Sequence, residues 1–246
     1  MPRKFLDFPG PLAFAHRGGS GYGPENTWRA FEHAVGLGYA YLETDVRATA
    51  DGVAVAFHDK TLDRLTGRPG RIAALPHRDV AAARIGGTEP IPLIEDLLGA
   101  WPDVRFNIDV KDARAIRPLA AVLRRTAAWD RVCICSFSAS RLRATRRALG
   151  RPVCTAASPA GIAAVLLGGP AAASAQCAQI PVPVATAPFL RHAHGRGLQV
   201  HAWTVNDRGL METLLDLGVD GIITDETVAL REVLTARGQW HPRQAA

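Results

Sequence analysis

Titratable side chains follow three short apolar runs in the first quarter of the chain. They are His16, the pair Glu43 and Asp45, and His58. Polar residues at the ends of buried strands are typical of the catalytic face of a parallel sheet. Two histidines can divide proton transfer, because one deprotonates a nucleophile while the other protonates the leaving oxygen. The pattern therefore predicts phosphate or acyl chemistry, with His16 and His58 as the acid and base.

Three carboxylates are predicted to come together on two neighbouring strands. Glu43 and Asp45 are two residues apart, so they share one face of their strand, and Asp109 lies near the end of the predicted strand Val104–Val110. A site built from carboxylates, with no cysteine nearby, suits a hard cation, Mg²⁺ or Ca²⁺. The alternative is a structural network in which Glu43 and Asp45 pair with arginines. The histidines and Asp109 at other strand ends favour the divalent cation.

Cationic and aromatic residues beside these strand ends are candidates for substrate contacts. Arg17 can hold phosphate through its planar fork, and Lys111 can do so as a point charge. Trp203 is either a core residue or the apolar wall of a pocket for a small alcohol. The Gly18-Gly19-x-Gly21 loop lacks the spacing of a nucleotide-binding loop, so its glycines are expected to allow a tight turn beside Arg17.

Strand and helix patterns alternate eight times along the chain. The strand patterns run from Leu12–Ala15 to Gly221–Thr224, and each is followed by a helix pattern. This order predicts an α/β fold, a closed (β/α)8 TIM barrel. The barrel is expected to form one domain over residues 1–246, with a small insertion after the second strand at about 47–92. A loop is expected at Gly168–Ser174.

Composition and charge limit the other classes of function. No segment reaches the ~18 apolar residues of a membrane span. Asp7 and Pro9 interrupt any signal-like run, so a cytoplasmic protein without stable membrane insertion is expected. The net charge is +6, but the arginines form no stripe with interleaved aromatics, which argues against a nucleic-acid partner. The oligomeric state is left open.

The cysteines give no sign of a disulfide framework or a zinc site. All four lie in apolar runs without Cys-x-x-Cys spacing or nearby histidine ligands: Cys133, Cys135, Cys154 and Cys177. Buried, reduced thiols are therefore expected.

Several short motifs, taken in order along the chain, resemble those of the glycerophosphodiester phosphodiesterase family. They are His16-Arg17-Gly18, Pro24-Glu25-Asn26-Thr27, Glu43-x-Asp45, His58-Asp59-x-Thr61-Leu62-x-Arg64, Asn107–Lys111, Trp203–Asn206 and Gly221–Asp225. The similarity covers the chain roughly from Leu12 to Arg237. It implies a (β/α)8 barrel with an insertion after the second strand. It also implies hydrolysis of glycerophosphodiesters to glycerol 3-phosphate and an alcohol, with a divalent cation.

The resemblance also implies a role for each candidate residue. It makes Glu43, Asp45 and Asp109 the metal ligands, and His16 and His58 the general acid and base. It makes Arg17 and Lys111 the phosphate contacts and Trp203 part of the substrate pocket. The family usually has Glu where this chain has Asp109. Because Asp reaches roughly an ångström less, the choice between Mg²⁺ and Ca²⁺ stays open, as do the division of labour between the histidines and the alcohol head group.

Two other functions remain as alternatives. A lysophospholipase D-like enzyme would act on a lipid with the same barrel and cation, and it would need an exposed apolar rim at the barrel mouth. The apolar residues of the insertion are expected to pack inward instead: Ile72, Leu75, Val80 and Ile85. A non-catalytic phosphate-ester-binding protein would have no need of both histidines and all three carboxylates, so their presence favours an enzyme.

Overall fold

Eight parallel strands form a barrel in the computed structural model, which describes residues 4–167 and 174–243. The strands are β1 (Leu12–Ala15), β2 (Tyr41–Ala48), β3 (Arg105–Val110), β4 (Val132–Cys135), β5 (Cys154–Thr155), β6 (Cys177–Pro181), β7 (Gln199–Trp203) and β8 (Gly221–Thr224). Neighbours pair in the order β5-β4-β3-β2-β1-β8-β7-β6. A parallel bridge between Ala156 and Cys177 joins the two ends of this sheet. The predicted (β/α)8 TIM barrel is confirmed. Apart from Ser174, the loop expected at Gly168–Ser174 lies outside the described residues.

One helix follows each barrel strand and packs on the outside of the barrel. The helices are α1 (Trp28–Gly36), α2 (Ile94–Ala100), α3 (Ile116–Thr126), α4 (Ala139–Leu149), α5 (Pro159–Leu166), α6 (Ala187–His194), α7 (Arg208–Leu217) and α8 (Thr227–Ala236). Side chains that alternate along the strands enter two separate apolar clusters. Ala13 and Ala15 pack with the helices, whereas Leu12 and Phe14 pack inside the barrel with Tyr41. This alternation is the period of two that a strand imposes.

The inner cluster also contains three of the four cysteines. Cys133, Cys154 and Cys177 are buried and free, and their Sγ atoms all lie within 4.8 Å of one another. They fill the barrel as small apolar side chains, and burial raises the pKa of the Cys133 thiol. The expectation of reduced thiols agrees with this arrangement. The expectation of burial was wrong for Cys135, which is only half-buried because it faces the functional site.

The insertion after β2 is a small layer with a core of its own. β2 continues to Ala48, so the insertion begins two residues later than predicted, after which Ala54–Ala56 turns back and pairs antiparallel with the end of β2. Two short helices follow, Asp63–Thr66 and His77–Ala81. The apolar residues of the insertion pack against one another: Val55, Phe57, Leu62, Ile72, Val80 and Ile85 are buried, and Leu75 is partly buried beside them. Inward packing of the insertion is therefore confirmed.

Helix length also bears on membrane association. Among the described residues, no helix has both the length and the apolar character needed to cross a bilayer.

Candidate active site

The residues predicted from the sequence meet in one cavity at the carboxyl ends of the barrel strands. The cavity has a volume of about 230 Å³. All eight predicted residues line it: His16, Arg17, Glu43, Asp45, His58, Asp109, Lys111 and Trp203. Their convergence follows from the fold, because the carboxyl ends of parallel strands open on the same face of the barrel.

A strained turn after β1 carries His16 and Arg17 into this cavity. Arg17 has a left-handed backbone, with φ 51°, and its amide donates to Glu43 Oε2 at 3.0 Å. Gly18 and Gly19 follow with φ of 87° and 93°. A Cβ on Gly19 would lie 2.5 Å from Thr227 Cγ2. These two positions require glycine, because both the backbone conformation and the packing exclude a side chain.

His16 is held by a carboxylate that directly follows the last strand of the barrel. Its Nδ1 lies 2.8 Å from Asp225 Oδ1, and its Nε2 lies 3.9 Å from Glu43 Oε2. Because an ionised carboxylate only accepts hydrogen bonds, Nδ1 carries the proton and Nε2 remains for chemistry. Burial lowers the pKa of His16, but Asp225 and Glu43 together raise it above its ordinary value.

His58 has an equivalent arrangement at the edge of the cavity. Its Nδ1 lies 2.7 Å from Asp59 Oδ1, and Arg64 Nε donates to Asp59 Oδ2 at 2.5 Å. Arg64 also donates to Glu25, which in turn accepts a bond of 3.0 Å from Arg17. The insertion is thus tied to the turn after β1 through a continuous chain of ion pairs.

The three predicted metal ligands lie on β2 and β3, which are paired in register. Asp45 lies directly opposite Asp109, and Glu43 lies opposite Asn107. All three carboxylates are buried. Burial and the neighbouring charge of Asp45 raise the pKa of Glu43. For Asp45, burial acts in the same direction, but Lys111 and Arg17 outweigh it and lower the pKa.

Lys111 bridges two of these carboxylates. Its Nζ lies 2.8 Å from Asp45 Oδ1 and 2.6 Å from Asp109 Oδ2. The second oxygen, Asp109 Oδ1, is buried and has no hydrogen-bond partner among the described residues. Burying a carboxylate oxygen without a hydrogen-bond partner costs free energy. Such an oxygen is suited to bind a cation. The set of three carboxylates therefore suits Mg²⁺ or Ca²⁺ chemically. Their oxygens do not all lie within 4.8 Å of one another, whereas the three cysteine sulfurs do.

Two further contacts define the rest of the cavity. Gln179 on β6 and Asn107 on β3 exchange side-chain hydrogen bonds of 2.9 and 3.2 Å across the barrel. Trp203 packs edge to face with Phe137, with 5.7 Å between ring centroids. Phe137 also lies 5.7 Å from Lys111 Nζ, and 61% of its surface is exposed. Trp203 therefore lines the cavity, and it also packs against the inner apolar cluster of the barrel.

Several residues that support the site were not predicted from the sequence to contact the catalytic candidates. Asp225 holds His16, Asp59 holds His58, and Asn26 donates to Asp45 Oδ2 at 2.9 Å. Asp59 follows His58 directly and Asp225 follows β8 directly, so a search for acceptors just after the strands could have found both. Gln179 and Phe137 had no comparable signal.

Comparison with known proteins agrees with this geometry. The sequence model of the glycerophosphoryl diester phosphodiesterase family matches residues 16–229. A Mycobacterium tuberculosis protein named "probable glycerophosphodiester phosphodiesterase 2" is 45% identical over 252 residues, which cover 96% of each chain. A human lysophospholipase D is 37% identical over 110 residues, which cover 39% of this chain and 35% of the human protein.

Solved structures with the same fold are also similar. A phosphodiesterase from Oleispira antarctica, solved in complex with the product sn-glycerol 3-phosphate, superposes with a TM-score of 0.81 at 22% identity and covers 92% of this chain and 97% of its own. The fold agrees over nearly the whole barrel. The match of the family model over residues 16–229 and the 45% identity of the mycobacterial relative show the family. The chain belongs to the glycerophosphoryl diester phosphodiesterase family and is an enzyme of that family.

Proposed function

We propose that the protein hydrolyses glycerophosphodiesters to glycerol 3-phosphate and an alcohol, with a divalent cation. The observation that carries this proposal is the pairing of each histidine with an aspartate in one cavity, at 2.8 Å for His16 and 2.7 Å for His58. Each pairing leaves the other ring nitrogen free to accept or donate a proton. Two such groups supply both proton transfers of a phosphodiester cleavage.

The two histidines divide those transfers between the nucleophile and the leaving group. The nucleophile is a water molecule or the glycerol 2-hydroxyl, and one Nε2 removes its proton. The other histidine returns a proton to the departing alkoxide, so that one P–O bond breaks and one forms. Asp225 keeps His16 in the tautomer that leaves Nε2 unprotonated in the neutral ring.

Positive charge for the phosphate comes from Arg17 and Lys111. Both line the cavity and are already balanced by carboxylates: Arg17 Nε lies 3.2 Å from Asp45 Oδ2, and Lys111 lies within 2.8 Å of the same residue. Glu43, Asp45 and Asp109 would hold Mg²⁺ or Ca²⁺, which would stabilise the charge on the phosphoryl oxygens. Trp203 would form the wall beside the alcohol.

The test is release of glycerol 3-phosphate from glycerophosphocholine and glycerophosphoethanolamine. The assay is run with Mg²⁺, with Ca²⁺ and with EDTA, on the wild type and on His16→Ala and His58→Ala. We expect cation-dependent release that falls about 10²- to 10⁴-fold in each variant, which is the usual contribution of a general acid or base. His192→Ala is the matched control, because His192 is exposed and does not line the cavity.

A good leaving group separates the two histidine roles. A glycerophosphodiester of p-nitrophenol needs little protonation of its leaving oxygen, so the variant that lacks the general acid should recover most of its rate on this substrate. The variant that lacks the base should not. If the folded wild type binds phosphate esters but turns over none of these substrates with any cation, the non-catalytic binding protein replaces our proposal.

A further inference from the structure

Three cysteine side chains meet inside the barrel, away from the active-site cavity. Cys133, Cys154 and Cys177 lie on the consecutive strands β4, β5 and β6. Their Sγ atoms all lie within 4.8 Å of one another, and those of Cys133 and Cys177 are 3.9 Å apart. None of the three lines the active-site cavity, so the cluster has no part in the proposed reaction.

The spacing of these sulfurs fits a single tetrahedral metal ion. Zn²⁺ binds thiolate sulfur at about 2.3 Å, which places two sulfurs on a tetrahedral centre about 3.8 Å apart. The 3.9 Å between Cys133 and Cys177 is close to that length, so one ion can bind both sulfurs without a shift of the strands. Thiolates are soft ligands, which select Zn²⁺ over Mg²⁺ and Ca²⁺. The cluster therefore differs in metal preference from the carboxylates of the active site.

His201 adds a buried nitrogen that has no other partner. It lies on β7, is fully buried and lies beside the Cys177 thiol. Gln199 donates its amide N–H to the Leu6 carbonyl at 3.3 Å, so its Oε1 accepts from His201 Nε2, also at 3.3 Å. Nδ1 therefore carries a lone pair, and it has no hydrogen-bond partner among the described residues. Such a nitrogen costs free energy when buried, whereas a histidine that binds a metal typically has its other nitrogen held in this way.

The protein also supplies a positive charge close to the cluster. Three thiolates and Zn²⁺ keep one net negative charge, and a buried charge is costly unless it is balanced. Arg146 on α4 donates to Thr155 Oγ1 at 2.6 Å, directly after Cys154 in the chain, and its charge acts on Cys133. The guanidinium group of Arg146 therefore offsets the charge that a zinc–thiolate centre would have.

The cluster lies where the pairing between the described barrel strands is shortest. Six residue pairs join β2 to β3 and two join β4 to β5, but β5 meets β6 through the single bridge between Ala156 and Cys177. β5 itself is only two residues long. Cys154 and Cys177 lie on the two sides of this junction. An ion bound to both sulfurs would therefore link two strands that few backbone contacts hold together.

We infer that the three cysteines and His201 form a structural zinc site inside the barrel. Three cysteines and one histidine are a usual ligand set of such sites. The His201 nitrogens do not lie within 4.8 Å of all three sulfurs, so the ring turns towards them as the ion binds. Each thiol that binds Zn²⁺ releases its proton to solvent. Because the cysteines are at most 1% exposed, the ion enters while the chain folds and is then held by the closed barrel.

Refolding in the presence of metal tests the site. The full chain is unfolded in urea with a reducing agent, refolded with Zn²⁺, with Co²⁺ or without metal, and then treated with EDTA to remove ions from the open active-site cavity. We expect a single zinc ion per chain to remain, and the urea midpoint to be higher than that of the metal-free protein. The cobalt form should show thiolate-to-metal charge-transfer absorption, which carboxylate ligands do not produce. A folded wild type that retains no metal and shows no such absorption overturns the inference.

Cysteine variants locate the ion. Cys154→Ala removes one sulfur, so this variant should retain no zinc after EDTA, and Zn²⁺ should no longer raise its urea midpoint. Cys135→Ala is the matched control, because Cys135 lies on the same strand as Cys133 but outside the cluster, and it should retain zinc as the wild type does. Equal zinc content in both variants places the ion elsewhere and overturns the inference.

His201→Gln provides a second test that leaves all three sulfurs in place. Its cobalt form should keep the charge-transfer absorption, but its ligand-field bands should shift because one nitrogen ligand is lost. An unchanged cobalt spectrum rules out His201 as the fourth ligand. None of these measurements depends on hydrolysis of a phosphodiester, so the zinc site and the proposed function can fail separately.

Discussion

His16 Nδ1 lies 2.8 Å from Asp225 Oδ1, although 209 residues separate the two along the chain. The contact joins the turn after the first barrel strand to the end of the last strand, β8. Ser20 and Asn206 donate to the same carboxylate at 2.6 and 2.9 Å. Burial raises the pKa of Asp225, but these donors, with His16 first, lower it to about 2. Asp225 is therefore ionised at every pH at which the enzyme is expected to work.

Replacing Asp225 with Asn should lower the pKa of His16. Burial alone lowers this pKa, and Asp225 is the largest influence that raises it. Without the carboxylate, the imidazolium loses its stabilising partner and deprotonates at a lower pH. NMR titration of His16 with EDTA present measures the shift directly. We also expect kcat/KM to fall about 100-fold, a part of the 10²- to 10⁴-fold that a general acid or base contributes.

The surface pair His194 and Asp220 provides a matched control. Its 2.8 Å contact has the same chemistry and lies outside the active-site cavity. Asp220→Asn should leave both the pKa of His16 and the rate unchanged. If Asp225→Asn lowers the rate while the pKa of His16 stays constant, Asp225 has a structural role only.

Arg64→Ala should disturb His58 with little effect on stability. Arg64 is the main cause of the low pKa of Asp59, which is about 2, and Asp59 in turn holds His58. Because half of the Arg64 side chain is exposed, the loss should change the free energy of unfolding by less than about 1 kcal/mol. The rate should fall about tenfold, which is typical when an orienting partner is removed.

Urea denaturation and kcat/KM are measured on the same preparations. Arg68→Ala, an exposed change in the same insertion, is expected to alter neither quantity. A large loss of stability in Arg64→Ala with an unchanged rate would mean that the ion-pair chain only holds the insertion in place.

Gly19→Ala should destabilise the turn that carries His16. The left-handed backbone costs an alanine about 1–2 kcal/mol, and the new Cβ would lie 2.5 Å from Thr227 Cγ2. Gly87→Ala separates the two effects, because Gly87 also has a positive φ but has nothing within 4 Å of its Cβ position. We expect urea denaturation to show a larger loss for Gly19→Ala. Adding Thr227→Ser, which removes the clashing methyl group, should restore part of it.

The positions of the candidate catalytic residues could be predicted from sequence because they depend on local rules. A strand brings Glu43 and Asp45 to one face through its period of two, and parallel strands bring His16 and Asp109 to the same end of the barrel. These rules need only short runs of sequence.

The supporting contacts depend on distant packing, so the sequence did not reveal them. Gln179 meets Asn107 across the barrel, 72 residues away, and nothing near either residue indicates the pairing. A cavity of about 330 Å³ beside α5 was missed for a related reason. An apolar helix pattern predicts burial equally well, and only the packing shows that Ile162 and Leu166 face open space.

Lys111→Gln should change substrate and cation binding in opposite directions. Lys111 Nζ balances the negative charges of Asp45 and Asp109, whose nearest oxygens lie 2.8 and 2.6 Å away. Without its charge, the phosphate loses a partner, so KM should rise about tenfold, since a charge-assisted hydrogen bond is worth about 1.5–3 kcal/mol. The Lys111 ammonium group no longer competes with a cation for the carboxylate oxygens, so Mg²⁺ and Ca²⁺ should bind more tightly in calorimetry. Lys60→Gln, an exposed substitution in the insertion, controls for net charge, and weaker cation binding in Lys111→Gln would contradict this account.

Asp109→Glu should tighten cation binding if Asp109 is a metal ligand, because the three carboxylates do not offer oxygens within 4.8 Å of one another and a longer side chain can reach a shared cation more readily. Asp109 Oδ1 is buried without a partner, and one additional methylene extends the carboxylate by about 1 Å towards Glu43 and Asp45. Calorimetry with Mg²⁺ and with Ca²⁺ measures the change, and Asp109→Asn serves as the counterpart of nearly equal size without charge. We expect the Glu variant to bind both cations more tightly than the wild type and the Asn variant to bind neither. If the Asn variant binds and turns over as the wild type does, Asp109 is a partner for Lys111 and not a metal ligand.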